Sequence, residues 1–333
     1  QQVLGMDATH RLEINGSGAS LFGWDGSQWA VVEDVDITTG NQETFEVSFP
    51  HAVLWPTLDA GDALLLRIAT ETQLLPETAP GRMLVPDLGR IAWTIEVIDP
   101  ANDDHGPGNY TYPTDGVFVD GVLDLIGFKV GSDENNLVFL TQIRGPVENP
   151  WGASNGLSIQ TVDIYIDVDG PSNGARMLRN ARNTALTQEN AWDYALTAAG
   201  WYNGFYTASE PEKAVLEVPL TIITDPGKRT IMVKIPKSAV PGDPAEWNYA
   251  VAVYSQDGYG PNNIRDVLPI GERWRVGGAP EGITNYTRIM DYLWPADASP
   301  TQEEMLSEFP PQTGFAGDLT VENFPQVWMV KPE

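Results

Sequence analysis

The chain has 333 residues, enough for two domains, and carries a net charge of −27 at pH 7. That field excludes attraction to nucleic acid or to an anionic membrane and fits a solvated, aggregation-resistant exterior. With no cysteine, the chain has no disulfides, no thiolate catalysis and no cysteine-held metal. No apolar run approaches the length of a membrane span, so membrane insertion is not expected. The Gln1-Gln2 opening, without Met or leader, agrees with a processed chain.

Residues 1–94 read as a small β unit. Candidate strands lie at 11–14, 20–22, 29–32, 43–49 and 63–69, and Trp24, Asp25 and Gly26 have the chemistry of a hairpin corner.

The segment 99–115 cannot be helix or central strand, because Pro100, Pro107 and Pro113 remove donors and Gly106 and Gly108 loosen the backbone. It gathers Asp99, Asp103, Asp104 and Asp115, hard-oxygen ligands suited to calcium, although not at EF-hand spacing. The competing reading is that these side chains only fold the loop by bonding backbone amides. Asp167 and Asp169, before Gly170, form a second acidic pair with the same two readings.

A strand follows at 121–130, with Leu123, Leu125, Phe128 and Val130 as apolar contacts. The run 161–169 alternates, with Val162, Ile164, Ile166 and Val168 on one side and Asp163, Tyr165, Asp167 and Asp169 on the other. Similar short strands are expected at 137–143, 230–235 and 249–255, punctuated by Gly and Pro. Together they predict an all-β antiparallel sandwich over 95–278. Beyond Gly278 lies an irregular docking tail, 279–333. Its one short helix would have Ser299 as cap, Pro300 in the first turn and Gln302 three places on, and would end before Pro310.

Sugar recognition calls for aromatic faces beside polar groups. The candidates are Trp151 in a Pro-Trp-Gly loop, Trp192 and Asp193, Trp201 and Tyr202 between Gly200 and Gly204, and Tyr254, with Tyr259 at the same end. The alternative is that these rings cap the core, and burial of Trp151, Trp192 and Trp201 would favour it. Catalysis finds little support: His10, His51 and His105 form no triad, and no βα alternation indicates a catalytic barrel.

Several blocks carry a family resemblance: 99–130, 149–169, Ala191 to Tyr194, Gly200-Trp201, 247–260, Arg265 and 274–278. In this order they resemble the C-terminal domain of glucodextranase, a DOMON-like β-sandwich family related to family-nine carbohydrate-binding modules. The same domain occurs in surface-layer-associated proteins. The resemblance implies a non-catalytic accessory module of an extracellular or cell-surface protein that binds α-glucan or an envelope glycan. Residues 45–67 resemble, more weakly, the closing strands of another DOMON-like sheet. The rival reading is a structural envelope or surface-layer subunit that meets other envelope proteins and takes no small ligand. Asn15, Asn109 and Asn285 sit in glycosylation patterns that would favour a surface protein.

Overall fold

Runs rich in β-branched and aromatic residues fold here as antiparallel ladders, where such side chains pack on a pleated surface. The computed structural model describes residues 91–332 and, before them, only the strands named next. Residues Gln1–Gly89 form one compact unit and Arg90–Glu333 another.

In the first unit, β1 (His10–Asn15), β2 (Gly18–Trp24), β3 (Trp29–Thr39) and β4 (Phe45–Ser48) pair in sequence order as an antiparallel sheet. Trp24 lies opposite Trp29 across β2 and β3, while the expected corner at Asp25 and Gly26 falls outside the described residues. Further on, β5 (Ala63–Leu66), β6 (Ile68–Ala69), β7 (Leu74–Leu75) and β8 (Gly81–Leu84) form two ladders, β5 with β8 and β6 with β7. The single strand expected at 63–69 is therefore two, with different partners.

The second unit is a sandwich. One sheet runs in the order β16-β17-β11-β10-β9, from β9 (Ala92–Ile98), β10 (Leu125–Ser132), β11 (Asn136–Ile143), β16 (Thr221–Asp225) and β17 (Thr230–Pro236). The other runs β15-β14-β12-β18-β21, from β12 (Gln160–Asp167), β14 (Tyr194–Ala198), β15 (Asn203–Thr207), β18 (Asn248–Ser255) and β21 (Asp291–Tyr292). Phe128, Val130, Phe139 and Val233 of the first sheet meet Val162, Ile164, Leu196, Val251 and Val253 of the second to form the core. Among the described residues this unit is an all-β antiparallel sandwich with one short α-helix.

The alternation in 161–169 misleads in one respect. Every residue of β12 is buried, because the face carrying Asp163 and Tyr165 is covered too. Trp192, Leu178 and Leu186 from the 175–192 segment, with Met305, Leu306, Val327 and Met329 from the C-terminal residues, close over Tyr165, Ala250, Ala252 and Tyr254. The C-terminal residues are thus part of the packing: Tyr249 and Val330 exchange both backbone hydrogen bonds, at 2.8 and 2.7 Å. The strand β13 (Ala185–Leu186) pairs in parallel with β22 (Gln326–Val327), and the short β19 (Val267–Leu268) with β20 (Val276–Gly277).

The helix α1 (Gln302–Ser307) is capped by Thr301, not Ser299. The Thr301 hydroxyl accepts from Glu304 N at 3.2 Å and the Glu304 carboxylate accepts from Thr301 N at 2.8 Å, a closed capping box two residues beyond the expected one.

Candidate functional site

Two loops and one hairpin tip converge at one end of the sandwich. Trp201 occupies the tip between β14 and β15, a tight turn closed by the Ala199 N–H bonding the Tyr202 carbonyl at 3.1 Å. Gly200 fits there because it has no side chain: a Cβ would fall against the Leu157 carbonyl oxygen and within 2.7 Å of the Ala153 Cβ. The Gln256 side-chain oxygen accepts the Gly200 N–H at 2.6 Å and pins the tip to the end of β18.

Trp151 is held by Asn149, whose amide brackets the turn, accepting from Ala153 N at 2.7 Å and donating to Ala153 O at 2.8 Å. Asn155 donates to the Ala199 carbonyl at 2.7 Å and so joins the Trp151 loop to the Trp201 tip. Trp274 completes the wall, with its ring centroid 6.0 Å from that of Trp151 at an interplanar angle of 62°. Phe118 backs both rings, 6.2 Å from Trp274 and 6.5 Å from Trp151.

The result is a cleft of about 800 Å³ lined by Trp151, Trp201, Trp274, Tyr259, Arg265 and Arg275, with Asp257 and Gln256 at its base. Trp151 is 37% exposed and Trp201 48%, so each offers ring surface to a ligand while its backbone stays anchored. Arg265 is spent internally, donating to Ser255 Oγ, the Trp274 carbonyl and the Gln256 carbonyl at 3.0, 2.7 and 2.5 Å. Burial pulls its guanidinium down to about 10, still a cation at neutral pH. Arg275 Nη1 bonds Asp257 at 3.0 Å and leaves the guanidinium edge toward the opening, with the side chain 36% exposed.

Of the six residues expected to bind sugar, the structure brings only Trp151 and Trp201 together in the cleft. Trp192 is fully buried, with its indole N–H donating to the Met177 carbonyl at 2.8 Å, and Tyr254 is buried on the same covered face. Neither ring can meet a ligand. Asp193 is elsewhere, accepting Val168 N at 2.8 Å beside Asp167 and Asp169. Burial, with Asp169 and Asp167 nearby, raises its carboxyl. Tyr202 turns behind the tip and donates to the Asn262 carbonyl at 3.0 Å. Trp274, Arg275 and Asp257 were missed; the block 274–278 was visible in the sequence, but nothing local placed it opposite Trp151.

The four aspartates expected to bind calcium also separate. Asp99 and Asp103 lie with Asp291, each offering a carboxylate oxygen within 4.8 Å of the others. Asp104 instead accepts the Tyr112 hydroxyl and lies 4.0 Å from His105 Nε2. Burial and the Asp124 charge raise the Asp104 carboxyl to about 6. Asp115 is paired with Arg273 at 2.8 Å, and that hydrogen bond holds it below the ordinary carboxylate range. Asp167, Asp169 and Asp193 form a second group, but Asp167 and Asp193 accept backbone amides of the turn there, as the plain folding reading expected.

Asn285 is fully buried and donates to the carbonyls of Pro310 and Asn323, so an attached glycan there is sterically excluded in the fold. Asn109 is exposed. Among the described residues, no helix is long and apolar enough to cross a membrane.

A two-sheet scaffold whose loops assemble an aromatic cleft at one end is the architecture of a binding module. The chain belongs to the family described as the C-terminal binding module, SLH-like, of glucodextranase, which matches residues 94–319. Comparison with curated proteins finds no match.

Proposed function

We propose that this chain is a non-catalytic, extracellular module that binds carbohydrate, an α-glucan or a cell-surface glycan, in the Trp151–Trp201–Trp274 cleft. The observation that carries this reading is that two exposed tryptophans from separate loops share one cleft with a third. A pyranose presents C–H groups on its faces and hydroxyls on its rim. The tryptophan faces suit the first, and the exposed part of Arg275 and Tyr259 suit the second, while Asp257 holds Arg275 in place. The cleft volume is in the range of small-ligand sites, large enough for a short oligosaccharide end.

Family membership supports the same reading, since the family is described as a binding module and not as a catalytic domain. Titration calorimetry of the protein with soluble α-glucan oligosaccharides tests it. Heat of binding that vanishes in Trp201→Ala is expected. Silence across α-glucans and cell-wall glycans would leave the envelope-subunit reading in its place.

A further inference from the structure

Several buried carboxylates in the second unit come with a cation. Asp163 has Arg182 at 2.7 Å, Asp133 has Lys234 at 3.0 Å, and Asp257 has Arg275 at 3.0 Å. The Asp99, Asp103 and Asp291 group has none: among the described residues, no Lys, Arg or His forms an ion pair with any of the three. Asp124, also fully buried, adds its charge to all three. Only Arg144 answers, through Asp124 Oδ2 at 2.5 Å. Three buried carboxylates and a half-buried fourth against one guanidinium is an arrangement that costs more than hydrogen bonds return.

The remaining oxygens show what is missing. Asp99 uses Oδ1 to accept Trp294 N at 2.5 Å, and its Oδ2 has no partner although the residue is buried. Asp124 uses Oδ2 for Asn102 N and Arg144, and its Oδ1 is likewise unpartnered. Asp103 Oδ1 is buried without a partner. Asp291 is oriented by Leu125 N at 2.6 Å and Tyr292 N at 2.8 Å. Backbone amides therefore fix one edge of Asp99 and of Asp124, and both edges of Asp291, as outer-shell contacts fix metal ligands. Within the Asp99, Asp103 and Asp291 group, Asp99 Oδ2 and Asp103 Oδ1 are thus left without partners, and Asp99 is itself buried.

We propose that Asp99, Asp103 and Asp291 hold one calcium ion at the seam between the two sheets, with the Asp124 charge beside them. The donors are all oxygen, with no thiolate or imidazole among them, which selects a hard cation over zinc. They come from the residue just past β9, the loop after it, and the edge strand β21 of the opposite sheet. Such an irregular set suits calcium, with its six to eight flexible ligands, better than magnesium, which demands a near-ideal octahedron. The ion would join the loop after β9 to β21. It would also steady α1, because Gln302 bridges the Asp103 carbonyl at 2.7 Å and Tyr292 N at 2.8 Å.

The test is thermal unfolding of the chelator-treated full chain with calcium chloride alone, alongside terbium luminescence excited through the nearby Trp294. Calcium in the millimolar range, where extracellular modules bind it, is expected to raise Tm, and terbium is expected to bind once and be displaced by calcium. Asp103→Asn and Asp291→Asn should lose both responses, while Asp115→Asn, outside the group, keeps them. Because Asp103 is only half-buried, its variant serves if Asp291→Asn does not fold. A Tm indifferent to calcium, or a response retained in Asp103→Asn, would overturn the site. An equal response to magnesium chloride would overturn the assignment of calcium.

Discussion

Asp163 and Arg182 meet as a bidentate pair, 2.7 Å from Oδ2 to Nε and 3.1 Å from Oδ1 to Nη2, with both side chains fully buried. Asp163 also accepts the Thr197 hydroxyl at 2.6 Å and the Tyr165 hydroxyl at 3.0 Å, so its oxygens are well satisfied. The pair fastens the 175–192 segment onto the outer face of the second sheet. Arg182→Met should cost about 3–5 kcal/mol, because it strands a buried carboxylate. The double variant Asp163→Asn with Arg182→Met should recover part of that loss, and urea denaturation of the three proteins at neutral pH checks both statements.

The same pair sets a pH signature. Burial alone would raise the Asp163 carboxyl, but the charges of Arg182 and Arg179 and hydrogen bonds from Arg182 and Thr197 hold it below its ordinary value. A carboxyl depressed in the folded state adds stability that is present above the unfolded value, about 3.9, and is lost as pH falls through the folded one. The Tm difference between parent and Asp163→Asn should thus be constant from about pH 5 upward and close only below about pH 4. A difference that closes on raising the pH would contradict the assignment.

Gly200 links the fold to the cleft. Its missing side chain lets the Trp201 tip lie against Leu157 and Ala153, where backbone carbonyl and Cβ have little room to yield. Gly200→Ala should cost about 1–3 kcal/mol by overpacking and shift Trp201 away from Trp151. Denaturant unfolding and glycan titration on the same variant read both effects.

Much of the architecture was legible because one face of each strand carries a period-2 apolar signal, as in Val162, Ile164 and Ile166. The second covering of β12 was not, since Asp163 and Tyr165 look alike whether they face water or a well-satisfied buried network. Trp192 next to Asp193 reads as a polar loop, yet Gly174 approaches the Trp192 backbone closely and the indole finds a carbonyl, both long-range facts. For the acidic loop, composition identified Asp99 and Asp103. Asp291 lies on an edge strand far along the chain, so only the sheet pairing brings it in. The cleft was half visible for the same reason: Trp151 and Trp201 stand out as loop aromatics, whereas Trp274 is placed by tertiary packing.

Trp192 and Trp201 therefore separate two kinds of loss. Trp192→Ala removes a fully buried ring and should destabilise by about 3–5 kcal/mol, shown by a lowered urea midpoint. Trp201→Ala removes a half-exposed ring and should leave that midpoint nearly unchanged.

The most direct test of the module's role is calorimetric titration of the protein and of Trp201→Ala with soluble α-glucan oligosaccharides, after the variant's unfolding midpoint is matched to the parent's. Saturable heat in the parent and none in the folded variant is the predicted result. Equal heats in the two proteins would contradict a glycan site in this cleft.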